Sequence, residues 1–188
     1  MRTMRLDILI FTAMVALSVL SCSSTEKVAT ANNDGTLLVP DSEGRGLRIY
    51  LYDQGEATAE IESETMVKFE ALDSTLAREV DITAYDSTGQ PNGHLVGDSA
   101  VIREKTGRMD IYGDVVFVAD DGTTLKTDYL RWNPNTSQIE TESFVRITRD
   151  RDWATGWILR ADQNLKRWVI LKDFQGTFFG MPPGTTDL

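Results

Sequence analysis

The stretch LVGDSAVIREKTGRMDIYGDVVF, residues 95–117, returns thirty residues later as LKTDYLRWNPNTSQIETESFVRI, residues 125–147. Leu95, Asp98, Ala100, Met109, Tyr112, Val115 and Phe117 fall in register with Leu125, Asp128, Leu130, Ile139, Glu142, Val145 and Ile147. A looser third copy starts at Leu159 and Asp162, now 34 residues on. Self-similarity at a fixed period marks one supersecondary unit reused, each copy burying its apolar face on its neighbours. Each unit reads as two strands joined by a turn. The repeat therefore predicts a stack of hairpins, an all-β body with a continuous apolar inside, able to hold a long apolar ligand.

Outward from the repeat the same rhythm continues. Leu47–Tyr52, Met66–Phe69, Val80–Tyr85 and Ser99–Ile102 are short apolar bursts rich in β-branched and aromatic residues, as strands are. Met109–Val118, Thr123–Trp132, Gln138–Thr148, Trp157–Ala161 and Trp168–Leu171 follow. Turn signals punctuate them at Asp53-Gln54-Gly55, Asp86–Gly89, Lys105-Thr106-Gly107, Asp120-Asp121-Gly122 and Asn133–Thr136. Many short strands at this spacing predict a sandwich or roll. A helix over Glu70–Arg78 is permitted by its Ala, Leu and Glu and weakened by Asp73-Ser74-Thr75. Residues 46–181 are assigned to one β domain, 22–45 to a flexible tether and 182–188, beginning Pro182-Pro183-Gly184, to a polar tail.

Residues 1–21 read as a secretory signal. Arg2 and Arg5 precede an apolar run of 13 residues, Ile8–Leu20, too short for the ~20 residues that span a bilayer as a helix. The run ends at Cys22, the only cysteine of the chain. Val19-Leu20-Ser21-Cys22 resembles a lipobox, which makes Cys22 the expected lipid anchor. An ordinary secretory signal and an uncleaved anchor are the alternatives. A lone cysteine forms no internal disulfide, and acylation accounts for its presence in an exported chain.

The formal charge is −10, and cleavage before Cys22 would take it to −11. A body this acidic is not expected to bind nucleic acid through general electrostatics. The chemistry of catalysis is also missing. The one histidine, His94, lies in the turn-like Gln90–His94, and no second His or Cys stands at zinc-ligand spacing. No Gly-x-Ser-x-Gly elbow and no phosphate-cradling Gly-rich loop occur. Asp120-Asp121-Gly122 lacks the further oxygen ligands of a calcium loop. Glu60, Glu62 and Glu64 share one strand face, where solvation explains them. We expect no enzyme, no cofactor and no metal.

Two features carry function instead. If the roll closes tightly, the repeated Leu, Ile, Val, Met and Phe form a dry core. If its two sheets splay, the same residues line a groove for acyl chains, edged by Trp132, Trp153, Trp157 and Trp168. A groove wall predicts that Val145→Asp abolishes acyl binding and leaves the β content intact. An open roll also ends in strands with unpaired backbone groups, which dock partner strands. Phe174-Gln175-Gly176-Thr177-Phe178-Phe179, uncharged and with three aromatics, reads equally as an internal strand or as such an edge.

Gly122–Trp132, Ile139-Glu140-Thr141-Glu142 and Val145-Arg146-Ile147, with Gly113-Asp114-Val115 before and Gly156–Asp162 after, resemble the LptC family of lipopolysaccharide-export proteins. They also resemble the wider OstA-like group. The resemblance covers roughly residues 50–178. It implies an open V-shaped β-jellyroll, anchored at the inner membrane in the periplasm, carrying lipopolysaccharide with its acyl chains inside. It implies Leu125, Leu130, Trp132, Ile139, Val145, Ile147 and Leu159 as lining. It implies an inner-membrane ABC transporter as donor. It implies a soluble periplasmic β-jellyroll bridge protein as acceptor, paired at the Phe174–Phe179 edge. Members commonly keep an uncleaved transmembrane helix, where this chain has Cys22. The rival expectation is a closed β-sandwich lipoprotein that acts as an adaptor without lipid.

Overall fold

In the computed structural model, residues 30–31, 37–133 and 136–179 are described. The signal segment, Cys22 and the polar tail lie outside the described residues. The chain divides into two units, Met1–Val39 and Pro40–Leu188. In the first, β1 (Thr30–Ala31) pairs antiparallel with β2 (Leu37–Leu38).

In the second, nine strands follow one another: β3 (Ser42–Asp53), β4 (Glu56–Phe69), β5 (Ser74–Tyr85), β6 (Pro91–Arg103), β7 (Arg108–Ala119), β8 (Thr124–Asn133), β9 (Gln138–Arg149), β10 (Asp152–Asp162) and β11 (Trp168–Thr177). They form a single antiparallel sheet in chain order, with β3 and β11 at its two ends and, among the described residues, no pairing between them. The body is therefore all-β and open.

Four elements differ from the sequence reading. β3 starts at Ser42, so the last four residues of the stretch read as tether are strand; Asp41 leads in, its N–H donating to Lys68 O at 2.9 Å. No helix forms over Glu70–Arg78. One 3₁₀ turn, Glu70–Leu72, stops at Asp73 in the left-handed region, and β5 follows, because burying Ala77, Val80, Ile82 and Ala84 on one side needs extended backbone. His94 lies in β6 rather than a turn, with Nε2 2.7 Å from Asp81 Oδ1. The turn before it is closed by Asp86, whose carboxylate accepts from the Thr88 hydroxyl at 2.6 Å and the Gln90 N–H at 3.0 Å. Lastly, the burst Trp168–Leu171 and the first four residues of Phe174–Phe179 belong to one element, since β11 runs through to Thr177.

The repeat becomes visible as ladders. One row runs Ile49, Ile61, Ile82, Leu95, Phe117, Leu125, Ile147, Ala154, Gly176, one residue from each strand in order. A second runs Ile102, Met109, Trp132, Ile139, Ala161, Trp168 from β6 to β11. Because side chains alternate along a strand, both rows face inward, and they join in one buried cluster.

Each strand also breaks its pairing near the middle. Pairing skips Gly46 in β3, Glu64 in β4, Glu79 in β5, Gly97–Asp98 in β6, Gly113–Asp114 in β7, Asp128–Leu130 in β8, Glu142–Ser143 in β9, Ile158 in β10 and Asp173–Phe174 in β11. Gly46, Glu79, Gly113, Asp114, Ile158 and Asp173 carry positive φ there. Bulges bend a strand, and a line of them across nine strands folds the sheet over into two layers. Gly113 shows why the residue type matters: its φ is +75°, and a Cβ there would run into the Asp98 carboxylate. Thr127 Oγ1 donates to Phe144 O at 2.9 Å and Ser63 Oγ to Arg78 O at 2.6 Å, so hydroxyls occupy carbonyls along the break.

Folding over brings opposite strand ends together. Asn92 at the start of β6 donates from Nδ2 to Oδ1 of Asn164, in the β10–β11 turn, at 2.9 Å. Lys166 of that turn lies 3.6 Å from Asp120 of the β7–β8 turn. These contacts form the lips of the V.

Candidate ligand interior and docking edges

The seven residues read as lining all point inside. Leu125, Leu130, Val145 and Leu159 are 0% exposed, and Trp132, Ile139 and Ile147 at most 5%. Leu125 and Ile147 stand on the layer of the first ladder, Trp132 and Ile139 on that of the second. Between the layers Ile82, Leu95 and Phe117 approach Trp132 and Ile139, leaving a cavity of about 20 Å³. That is room for one water, against ~300–1,000 Å³ for a ligand pocket. In this conformation the interior is filled by its own side chains. In this closed conformation Val145 is wholly buried among its neighbours. An aspartate there would be a desolvated, unpaired charge, so Val145→Asp tests the core rather than ligand binding.

Among the described residues Asn92 Oδ1, Arg108 Nε and Trp132 Nε1 are buried without a hydrogen-bond partner, and of these Trp132 Nε1 belongs to the apolar cluster; such a group out of water costs ~1–3 kcal/mol.

At the β11 end the interior meets the surface. Trp168 and Phe178 stand 6.3 Å apart, and Phe178 stacks on Phe174 at 6.5 Å with rings within 8° of parallel. Behind them lies a pocket of about 210 Å³ between Ile147, Ala154, Leu165 and Trp168, rimmed by Arg149, Lys166 and Asp152. Phe178 thus closes one side of this pocket, with Phe174 stacked on its ring. Phe178 and Phe179 lie past the strand, and Arg151 sits 4.9 Å over the Phe179 ring. Gln175 and Gly176 pair with Thr155 and Ala154, and Thr177 with Trp153. Among the described residues the other side of β11 has no strand neighbour, and Val169, Leu171 and Phe174 are exposed on this strand. β3 is the second free edge, with Leu47, Tyr50 and Tyr52 exposed. Arg48 there pairs with Glu60 at 2.9 Å and with Glu62.

One cluster escaped the sequence reading. Asp110, on the outer face, is almost fully buried and accepts from Tyr129 Oη at 2.6 Å and Arg131 Nε at 2.7 Å. Burial pushes its carboxyl up. The bonds from Tyr129 and Arg131 and the charges of Arg131 and Arg108 outweigh that and hold it below the usual carboxylate range. Burial and the same bond to Asp110 push the Tyr129 phenol strongly up. The signal was an aspartate between Met109 and Ile111, an acid on the outward side of an apolar strand.

An antiparallel sheet, kinked along one line, wrapping one apolar interior and left open between its first and last strands, defines an open β-jellyroll. The family model for LptC-related lipopolysaccharide assembly matches residues 8–178, and the chain belongs to that family. Membership gives it a role in lipopolysaccharide transport at the cell envelope, as a transport component. No curated protein matches the chain.

Proposed function

We propose that this protein takes lipopolysaccharide from an inner-membrane ABC transporter, holds its acyl chains between the two layers, and passes it to a soluble periplasmic β-jellyroll bridge protein paired at β11. The carrying observation is the inward ladder from Ile49 to Ala154, which crosses eight strands without a charged residue and runs between two free edges. Loading requires the lips to part, since about 20 Å³ admits no acyl chain. The seven lining residues then exchange contacts with one another for contacts with the lipid. Acyl burial supplies affinity at ~0.8 kcal/mol per CH₂. The chain acts without catalysis or cofactor, the energy coming from the transporter's ATP. Acylation at Cys22 would hold it to the periplasmic face of the inner membrane.

The closure of the interior favours a second reading, an adaptor that only pairs through its edges. Native mass spectrometry of the protein purified from a lipopolysaccharide-containing host separates the two. A co-purifying mass of lipid A or lipopolysaccharide is expected. A clean apo mass that stays unchanged when lipopolysaccharide is added would leave the adaptor.

A further inference from the structure

On the outer face of the fold line, β8, β9 and β10 part from one another. β8 and β9 make no pairs between Thr127–Val145 and Arg131–Glu140, and β9–β10 pairing breaks between Trp157 and Leu159. The parting leaves a groove of about 410 Å³, whose lining includes Tyr129, Arg131, Glu140, Glu142, Ile158 and Arg160. Ile158 is held there at φ 63°, a left-handed conformation rare for a β-branched residue.

We propose that this groove binds a short oligosaccharide of neutral sugars. Three observations carry it. Its ionic groups are two guanidinium and two carboxylate side chains, so the lining sums to no net charge and selects neither an anion nor a cation. Carboxylates accept and guanidinium groups donate, the complement of a sugar's adjacent hydroxyls. Second, these groups are pre-set. Buried Asp110 holds both Tyr129 Oη and Arg131 Nε, and Arg131 Nη1 reaches Glu140 at 3.5 Å, so polar side chains are fixed before a ligand arrives. Third, exposed aromatics neighbour the lining residues. Tyr112 lies 5.1 Å from Tyr129, and Phe144 and Trp157, which meet edge-on at 5.6 Å, adjoin Ser143 and Ile158 of the lining in the chain. Tyr112, Phe144 and Trp157 are each a little over 40% exposed, flat apolar surface of the kind on which a sugar's C–H face stacks. The charged groups of the groove alternate with inward-facing neighbours and so project outward, Thr141 and Leu159 forming its floor, and the inference does not rest on lipid binding.

Two sources share this chemistry, the sugar portion of a glycolipid and a free envelope glycan. The full chain, monitored by tryptophan fluorescence and calorimetry, is titrated with chitotetraose and with a neutral O-chain oligosaccharide released from lipopolysaccharide. Saturable binding of either supports the groove, and the one that binds names the source. Arg160→Ala and Glu142→Gln, both at exposed positions, are expected to weaken binding at least tenfold with an unchanged circular dichroism spectrum. Binding should persist in 0.5 M salt and resist competition by inorganic phosphate. No binding of either probe, equal binding by both variants, or displacement by phosphate would overturn the assignment.

Discussion

Val145 packs against nothing but protein, so its substitution by aspartate places a carboxylate where neither water nor a cation reaches it. Removing that charge from water costs several kcal/mol, a large part of the ~5–15 kcal/mol that holds a domain folded. Val145→Asp is expected to lose the cooperative urea transition seen for the parent chain; a folded variant that merely fails to bind lipid would show that the roll stands open in solution. Asp110 makes a second prediction. Its folded pKa is depressed, so the unfolded chain binds the proton more readily than the native one. The stability this group contributes is present above the unfolded carboxylate value of ~3.9 and is lost as pH falls below it through the folded value. Asp121, Asp86 and Glu104 are lowered too, each first by a side-chain hydrogen bond, from Thr123, Thr88 and Thr75. Acid unfolding should therefore set in below about pH 4. Asp110→Asn should lower stability at neutral pH and reduce its further fall on acidification, read from urea midpoints between pH 3 and 7. Residues of this kind differ in how far sequence exposes them. Leu125 or Ile147 is legible because the thirty-residue spacing repeats it. Asp110 shows in sequence only as an acid between Met109 and Ile111; its burial is not legible there, because it comes from Tyr129 and Arg131, partners on another strand.

At the scale of the strand, the repeat was legible as far as β9 and slipped at β10. Leu159 aligns with Leu125 in sequence, but the residue opposite Ile147 in the ladder is Ala154; Leu159 lies beyond the bulge, opposite Thr141. Alternation of apolar and polar residues gives the period of a strand and not the place of its bend. Ile158 takes the left-handed conformation without a glycine to announce it. Glu79 and Asp173 hide their bends the same way, whereas Gly46 and Gly113 mark theirs. The division of β11 into two bursts has a similar origin, since the apolar run is interrupted by Lys172 and Asp173 at the bend. On the question sequence left undecided, internal strand or edge, the described residues place β11 beside β10 and beside no other strand. Leu171 is 52% exposed on this edge. A lysine there is the device by which natural sheets discourage pairing, and a surface change of this sort moves stability by no more than ~0.5 kcal/mol. Leu171→Lys is expected to keep the parent's melting temperature and to lose retention on an immobilised β-jellyroll bridge protein. Retention equal to the parent's would move the docking surface elsewhere, with β3 the next edge to block.

For the molecule as a whole, the closed interior and the proposed cargo are compatible only if the two layers part. The ladders hinge on the fold line, where backbone pairing is already broken in each strand, so parting the layers costs few ladder hydrogen bonds. What opposes it is apolar contact between Ile82, Leu95 and Phe117 on one layer and Trp132 and Ile139 on the other, together with two polar contacts at the lips. A lysine–aspartate pair at the surface contributes ~0–1 kcal/mol, and a side-chain amide pair about as much. Lipid acyl chains would replace the apolar contacts in kind, and Trp132 Nε1 would gain a possible acceptor in an acyl ester or amide. Holding the lips shut should therefore abolish loading and leave the fold untouched. Asn92 and Asn164 place their amides 2.9 Å apart across the gap, close enough for the double variant Asn92→Cys, Asn164→Cys to be bridged by a short bis-methanethiosulfonate. In a Cys22→Ser background the bridged protein is expected to show no lipopolysaccharide adduct in native mass spectra, and reductant should restore the adduct in the same sample. Loading at the parent's level while bridged would mean that lipid enters past Trp168 and Phe178 at the β11 end, and the lips would then be structural.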